Sequence, residues 1–382
     1  MKKFKKMYIS ILLLSALLAF FYVQLPSERI SGEKAGRGNE SSSSSSSSPK
    51  PPAPDYSFTL RAAGVSSMPV YSLYDVKIFG DTIKTEKRFE CVLGFGAREI
   101  INLKNIQKTL LISDNEREIY IFDEKERKIS GRVISFPAGG GLNGAEKDSI
   151  TAIAKSPDEK LIAAALKNKK TVELLTADNF QTVLSVEHDA GNIIFLYFDA
   201  KNNLYMVSGG RDGKRTGLYM AAGGLSYSKI EKISDFSLAA DSFAVDASAP
   251  RPVFIFYNRS SGTVFSIDSA SAQSGVIVSA TPQREALQGR PVQIIADKGE
   301  IKLIRSDIKK ISIVKGGKLT SEIDCPELDG AEIAAGGGNL KYFLAASGGS
   351  CKFGLLEKSE NKLIRGGILE GLSSLGCADI CE

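Results

Sequence analysis

After residue 98 the chain repeats one pattern of apolar and polar positions. A short apolar strand ends in a polar or glycine turn, and a second apolar strand follows. Leu110-Leu111-Ile112-Ser113-Asp114 leads to Ile119-Tyr120-Ile121-Phe122-Asp123. Leu161 to Ala164 turns at Lys167-Asn168 and leads to Val172 to Thr176, and Leu204 to Ser208 turns at Arg211-Asp212 and leads to Leu218 to Ala221. Val253 to Phe256 turns at Tyr257-Asn258 and leads to Val264 to Asp268. Ile301 to Ile304 turns at Ser306-Asp307 and leads to Ile311 to Val314, and Tyr342 to Ala345 turns at Ser347-Gly348 and leads to Phe353 to Glu357. These runs are rich in Val, Ile, Phe, Tyr and Thr, which suit a pleated, half-buried surface. Asp, Asn and Gly suit the turns because they tolerate left-handed backbone and bond their own main chain.

The turn residues 114, 168, 212, 258, 307 and 348 are 54, 44, 46, 49 and 41 positions apart. A four-stranded propeller blade takes about 40–50 residues. Further strands precede several of the pairs, as at Ile150 to Ala154 and Ile193 to Phe198, and these end at Ser156-Pro157-Asp158 and Asp199 to Asn203.

Ser149 to Asp158 resembles the inner strand and turn of a WD40 repeat, and His188 to Ile193 with Ser208 to Asp212 is similar over a whole repeat. Leu111 to Asp123 resembles an NHL or YVTN-type propeller repeat equally well. The chain has no Trp, and Phe122-Asp123 and Ile267-Asp268 stand where a Trp-Asp dipeptide would be. The resemblance covers roughly residues 98–370, at the level of the β-propeller superfamily. It implies an all-β ring and a structural partnership between His188 and Asp212.

Six blades are visible in the pairs. Ser57 to Leu60, Val70 to Phe79 and Thr82 to Val92 add about three strands, and the tail 367–382 has room for a fourth. Closing one blade with strands from both ends leaves a ring without open edges. The expectation is a β-propeller of seven blades over residues 57–382, with six as the alternative.

The N-terminal stretch has a different character. Lys2, Lys3, Lys5 and Lys6 precede the run Tyr8 to Leu25, 18 residues without a charge. As a helix it would be about 27 Å long, near the thickness of a bilayer core. Bulky residues from Phe20 to Pro26 occupy the place where a signal peptidase site needs small ones. The expected element is an uncleaved signal-anchor over residues 1–26, with its N-terminus in the cytoplasm and the rest periplasmic or extracellular. Residues 27–56 hold eight consecutive Ser (Ser41 to Ser48) and then Pro49, Pro51, Pro52 and Pro54. Such chain cannot bury enough apolar surface to order itself. It reads as a low-complexity spacer with a span of about 30 Å.

Charge refines the picture. Residues 1–56 carry eight Lys/Arg and four Asp/Glu, which leaves 41 basic and 40 acidic residues in the ring. The ring is nearly neutral with interspersed signs, so no nucleic-acid partner is expected.

Candidate chemistry is sparse. His188 is the single histidine, and no Ser or Cys nucleophile motif accompanies it. The glycine runs Gly139 to Gly141 and Gly336 to Gly338 lack both the Lys-Ser/Thr of a phosphate loop and the spacing of a dinucleotide fingerprint. Cys91, Cys325, Cys351, Cys377 and Cys381 are odd in number, with Cys377 and Cys381 within reach of each other if the tail turns between them. No catalytic, cofactor-binding or metal-ligating residue is assigned, and no cofactor is expected. The leading expectation is a membrane-tethered extracytoplasmic propeller serving as a non-catalytic scaffold or interaction module for a protein of the cell envelope. The alternatives are an exported lactonase-like hydrolase with an axial metal and an envelope domain that senses a ligand or carbohydrate.

Overall fold

The computed structural model describes residues 53–136, 148–167, 169–209, 215–223, 227, 230–248, 251–258, 260–279, 292–305, 308–328, 341–346 and 351–381. All lie in one compact unit that runs from Ala53 to Glu382. The segments 1–26 and 27–52 and both glycine runs fall outside the described residues. Among the described residues no helix is long and apolar enough to cross a membrane.

The described strands form seven antiparallel sheets. Blade one contains β1 (Tyr56–Val65), β2 (Pro69–Phe79) and β3 (Thr82–Val92). Blade two is β4 (Ala97–Leu103), β5 (Lys108–Ser113), β6 (Glu118–Asp123) and β7 (Lys128–Ser135). Blade three is β8 (Ile150–Lys155), β9 (Leu161–Leu166), β10 (Thr171–Thr176) and β11 (Thr182–Glu187). Blade four is β12 (Ile193–Phe198), β13 (Leu204–Ser208), β14 (Thr216–Ala221) and β15 (Ile230–Phe236). Blade five is β16 (Ser242–Asp246), β17 (Val253–Asn258), β18 (Thr263–Asp268) and β19 (Ser274–Ser279). Blade six is β20 (Val292–Asp297), β21 (Glu300–Arg305), β22 (Lys310–Lys315) and β23 (Lys318–Asp324). Blade seven shows β24 (Tyr342–Ala346), β25 (Lys352–Glu357) and β26 (Leu363–Ile368). The last strand, β27 (Ser374–Cys381), returns to pair with β1. The ring is therefore a seven-bladed propeller closed by strands from both ends of the domain.

β27 lies against β4, β8 against β12, and β16 against β20, which makes these the innermost strands. The second and third strands are buried on both faces. β13 is buried at every position, and β5 and β9 at all but the first. This explains why the sequence shows continuous apolar runs there rather than alternation. The core is split into seven layers, one between each pair of neighbouring blades. Phe122, in the place of the absent Trp, is fully buried between blades one and two, 4.8 Å from the Tyr71 ring. Asp123 beside it closes the β6–β7 turn by accepting from the backbone N–H of Lys125 and Glu126.

The outer edge shows a regularity of its own. In all seven blades the two outermost described strands are paired with a register shift, as at Leu73/Tyr74, Leu174/Leu175 and Ile313/Val314. A bulge increases local twist and turns an outer strand away from edge-to-edge pairing.

One expected turn sits elsewhere. Tyr257 and Asn258 are still part of β17, paired with Val264 and Thr263. The turn follows them, because the Asn258 side chain accepts from the Ser261 N–H at 2.8 Å and organises the residues after it.

Candidate functional site

One group of titratable side chains is packed between blades one and two. Arg61 Nε donates to Glu124 Oε1 at 2.9 Å, and the Thr109 hydroxyl donates to the same oxygen at 2.5 Å. Asp379 on β27 is the direct cross-strand partner of Arg61. Burial raises its carboxyl to about 6, against the pull of Arg61, Lys155 and Lys104. Tyr71 is fully buried in the same layer, and burial with the nearby Glu124 charge pushes its phenol well above the ordinary value. Arg61, Thr109 and Glu124 are bonded to one another inside the wall of the ring.

Glu99 lies on innermost strand β4, partly exposed. Burial raises its carboxyl to about 7, with Arg98 opposing. Cys377 on neighbouring β27 donates its thiol to Ala97 O at 3.4 Å and is pushed upward by burial and by Glu99. Among the described residues no group of three or more His, Cys, Asp or Glu is placed to hold a metal ion.

His188 follows β11 and lines an open groove of about 720 Å³ with Lys170, Asp189, Tyr219 and Lys232. Only 8% of the residue is exposed. Its backbone N–H donates to Lys170 O at 2.7 Å. Burial holds the imidazole below its usual value, with Lys170 adding to the effect and Asp189 opposing it. Nδ1 is buried without a hydrogen-bond partner among the described residues. Asp212, the expected partner, lies outside them.

The cysteine expectation needs correction. Cys91, Cys325, Cys351 and Cys377 are thiols. The tail does not turn between Cys377 and Cys381, because both lie on β27. Four positions along a strand span about 13 Å, about twice the greatest Cα separation a disulfide bridges.

The structure also assembles a feature that sequence reading missed. Lys298, Lys302, Lys315, Lys341 and Lys358 line one cavity of about 570 Å³ between blades six and seven. In an antiparallel blade the turn between strands one and two shares a rim with the turn between strands three and four. Lys298 lies in the β20–β21 turn, Lys315 ends β22, Lys341 precedes β24 and Lys358 follows β25. All four therefore emerge on one rim. Lys302 lies beneath them, 2% exposed, with Nζ donating to Glu300 Oε1 at 2.5 Å and to Lys358 O at 3.2 Å. The available signal was the repeat itself: Lys298 to Lys341 and Lys315 to Lys358 are each 43 positions apart.

No protein-family model matches the chain, and no curated protein matches it in sequence. Solved structures share its fold. A protein from Lactobacillus plantarum aligns with a TM-score of 0.58 at 11% identity, over 86% of this chain and 100% of that one. A protein of unknown function from Desulfotomaculum acetoxidans aligns at 0.54 and 8% identity, over 85% and 99%. The Kuenenia stuttgartiensis hydrazine synthase aligns at 0.52 and 9% identity, over 78% and 93%. These likenesses bear out the propeller resemblance and speak to fold alone.

Proposed function

We propose that the chain is a non-catalytic binding module, a propeller held outside the cytoplasm by an N-terminal membrane anchor and spacer, which engages a protein of the cell envelope. The observation that supports this most is where the reactive groups lie. Arg61, Glu124 and Asp379 are engaged with one another in the layer between blades one and two, and what the ring presents to solvent includes open, charged grooves. Rim loops on a rigid ring are the usual place for partner recognition. The run Tyr8 to Leu25, preceded by four lysines, supports the anchor, and Ser41 to Ser48 with the following prolines supports the spacer.

Affinity capture tests the reading. The tagged full chain is solubilised from membranes in mild detergent and its co-purifying proteins are quantified by mass spectrometry. The expected result is one envelope protein at near-stoichiometric yield that survives stringent washing. A chain that retains no protein, carries bound Ca²⁺ and hydrolyses lactones or esters only with that ion would overturn it in favour of a propeller hydrolase.

A further inference from the structure

Among the described residues the cavity between blades six and seven gathers more positive than negative side chains. Lys302 and Glu300 are paired, and Lys341 Nζ lies 3.1 Å from Glu357 Oε1. Five lysines line the cavity, and the acids that line or brace it are Asp297, Glu300 and Glu357. Among the described residues the balance is an excess of two positive charges at one open pocket. Three of the lysines, Lys298, Lys315 and Lys341, are exposed at the rim, while Lys358 is partly buried and Lys302 forms the floor. Burial holds the Lys358 amine below its ordinary value, and neighbouring Lys302 adds to this while Asp297 opposes it. A dianion seated among these amines would relieve both the repulsion and the desolvation.

We propose that this cavity binds a phosphoryl group. The residue type points to phosphate rather than a carboxylate. Among the described residues no Arg lines the cavity, so they offer no planar fork to pair with a carboxylate, whereas lysine binds phosphate as a point charge. A phosphate monoester carries about −1.5 to −2 at neutral pH, which matches the local excess. Ser359 adds a hydroxyl at the same mouth. The lysines come from equivalent turns of two adjacent blades, so the repeat sets their spacing. Tyr56, where the chain enters β1, lies on this rim with Lys341 Nζ 5.9 Å from its ring centroid. The phosphoryl group belongs either to a free phosphate compound or to a lipid headgroup, and the chemistry of recognition is the same for both.

The test uses the full chain in nonionic detergent. Inorganic pyrophosphate is titrated by calorimetry at low ionic strength, and micelles doped with phosphatidic acid or with phosphatidylcholine are titrated in parallel. The site is probed with the double variant Lys298→Gln/Lys315→Gln, both positions being exposed and outside the core. Lys318→Gln, exposed and absent from the cavity lining, is the control. Saturable binding of pyrophosphate or of the phosphatidic acid micelles, weakened at least ~10-fold in the double variant and unchanged in the control, is the expected result, and added salt weakens it. Preference for pyrophosphate identifies a free phosphate ligand, and preference for phosphatidic acid identifies a headgroup. Absence of binding to both, or equal binding by the double variant, overturns the proposal. The protein-partner reading is tested by separate experiments, so either result stands without the other.

Discussion

Arg61 on β1 sits directly opposite Asp379 on β27, at the join where the two ends of the domain meet. The same guanidinium reaches Glu124 in the next blade at 2.9 Å. The closing strand is thus tied both to its own sheet and to its neighbour. β27 also buries Leu375, Ala378 and Ile380 against the layer between blades seven and one. Burial of the Leu and Ile side chains alone is worth roughly 3–6 kcal/mol. Deleting residues 374–382 should lower the thermal midpoint by about 10 °C or more, since each kcal/mol moves a large domain by about 2–4 °C. An unchanged midpoint in calorimetry would contradict the closure.

Gly64 gives a finer test of the same join. A Cβ built there would lie 2.2 Å from Ser374 O, a backbone atom of the closing strand. Gly64→Ala forces β27 away from β1 at the bulge and should cost about 1–3 kcal/mol in denaturant melts. Gly80→Ala is not an equivalent control, because Gly80 has φ of 58°. Gly275→Ala is suitable, with open space around it, and should change little.

Stability should depend on pH through Glu99. Its carboxyl titrates near 7 when folded, above its ordinary value, with burial as the cause and Arg98 opposing. The folded chain therefore holds a proton that the unfolded chain has lost over the window from about 4.3 to about 7. Where the folded state binds more protons, stability falls as pH rises. Glu99→Gln should raise the melting midpoint at pH 7.5 and have little effect at pH 4.5. The same gain at both pH values would show that the carboxyl is not protonated in the fold.

His188 works in the opposite direction. Its folded value is held below that of the unfolded imidazole, so its contribution to stability is lost as pH falls below about 6.5. As the single histidine of the chain, it gives one pair of imidazole resonances. The titration followed by NMR should have a midpoint below about 6.5. A midpoint above it would mean that a carboxylate outweighs burial in this groove.

No intrachain disulfide is expected. An intrachain disulfide needs two of the five cysteines, and four are thiols. Thiol titration in guanidinium without reductant should count five per chain. Native protein should react fastest at half-buried Cys91 and Cys351 and slowest at buried Cys325 and Cys377. A count of three would contradict the strand geometry of β27.

Much of the ring was legible because both faces of the middle strands are buried. Runs such as Leu110 to Ile112 and Phe254 to Phe256 stand out for that reason, and the terminal closure followed from counting strands. The bulges in the outer pairs were not legible, since nothing in the residue types at Leu73/Tyr74 or Ile313/Val314 marks a register shift. The lysine cavity was hidden by a different effect. Along the chain Lys298, Lys315, Lys341 and Lys358 alternate with acids and look balanced. Antiparallel pairing then gathers alternate turns on one rim, and charges that are far apart in sequence become neighbours. Cys377 and Cys381 were within reach of each other only if the tail turned between them, and the closing strand keeps it extended there.

Under the proposed function the ring meets a protein partner outside the cytoplasm. Photo-cross-linking in intact cells tests it most directly, with the reactive group placed in turn at Lys201 on one rim and Asn115 on the other, both in inter-strand turns. The expected result is a discrete adduct with one envelope protein from at least one position. Adducts only with cytoplasmic proteins would contradict it, and so would no adduct from either rim.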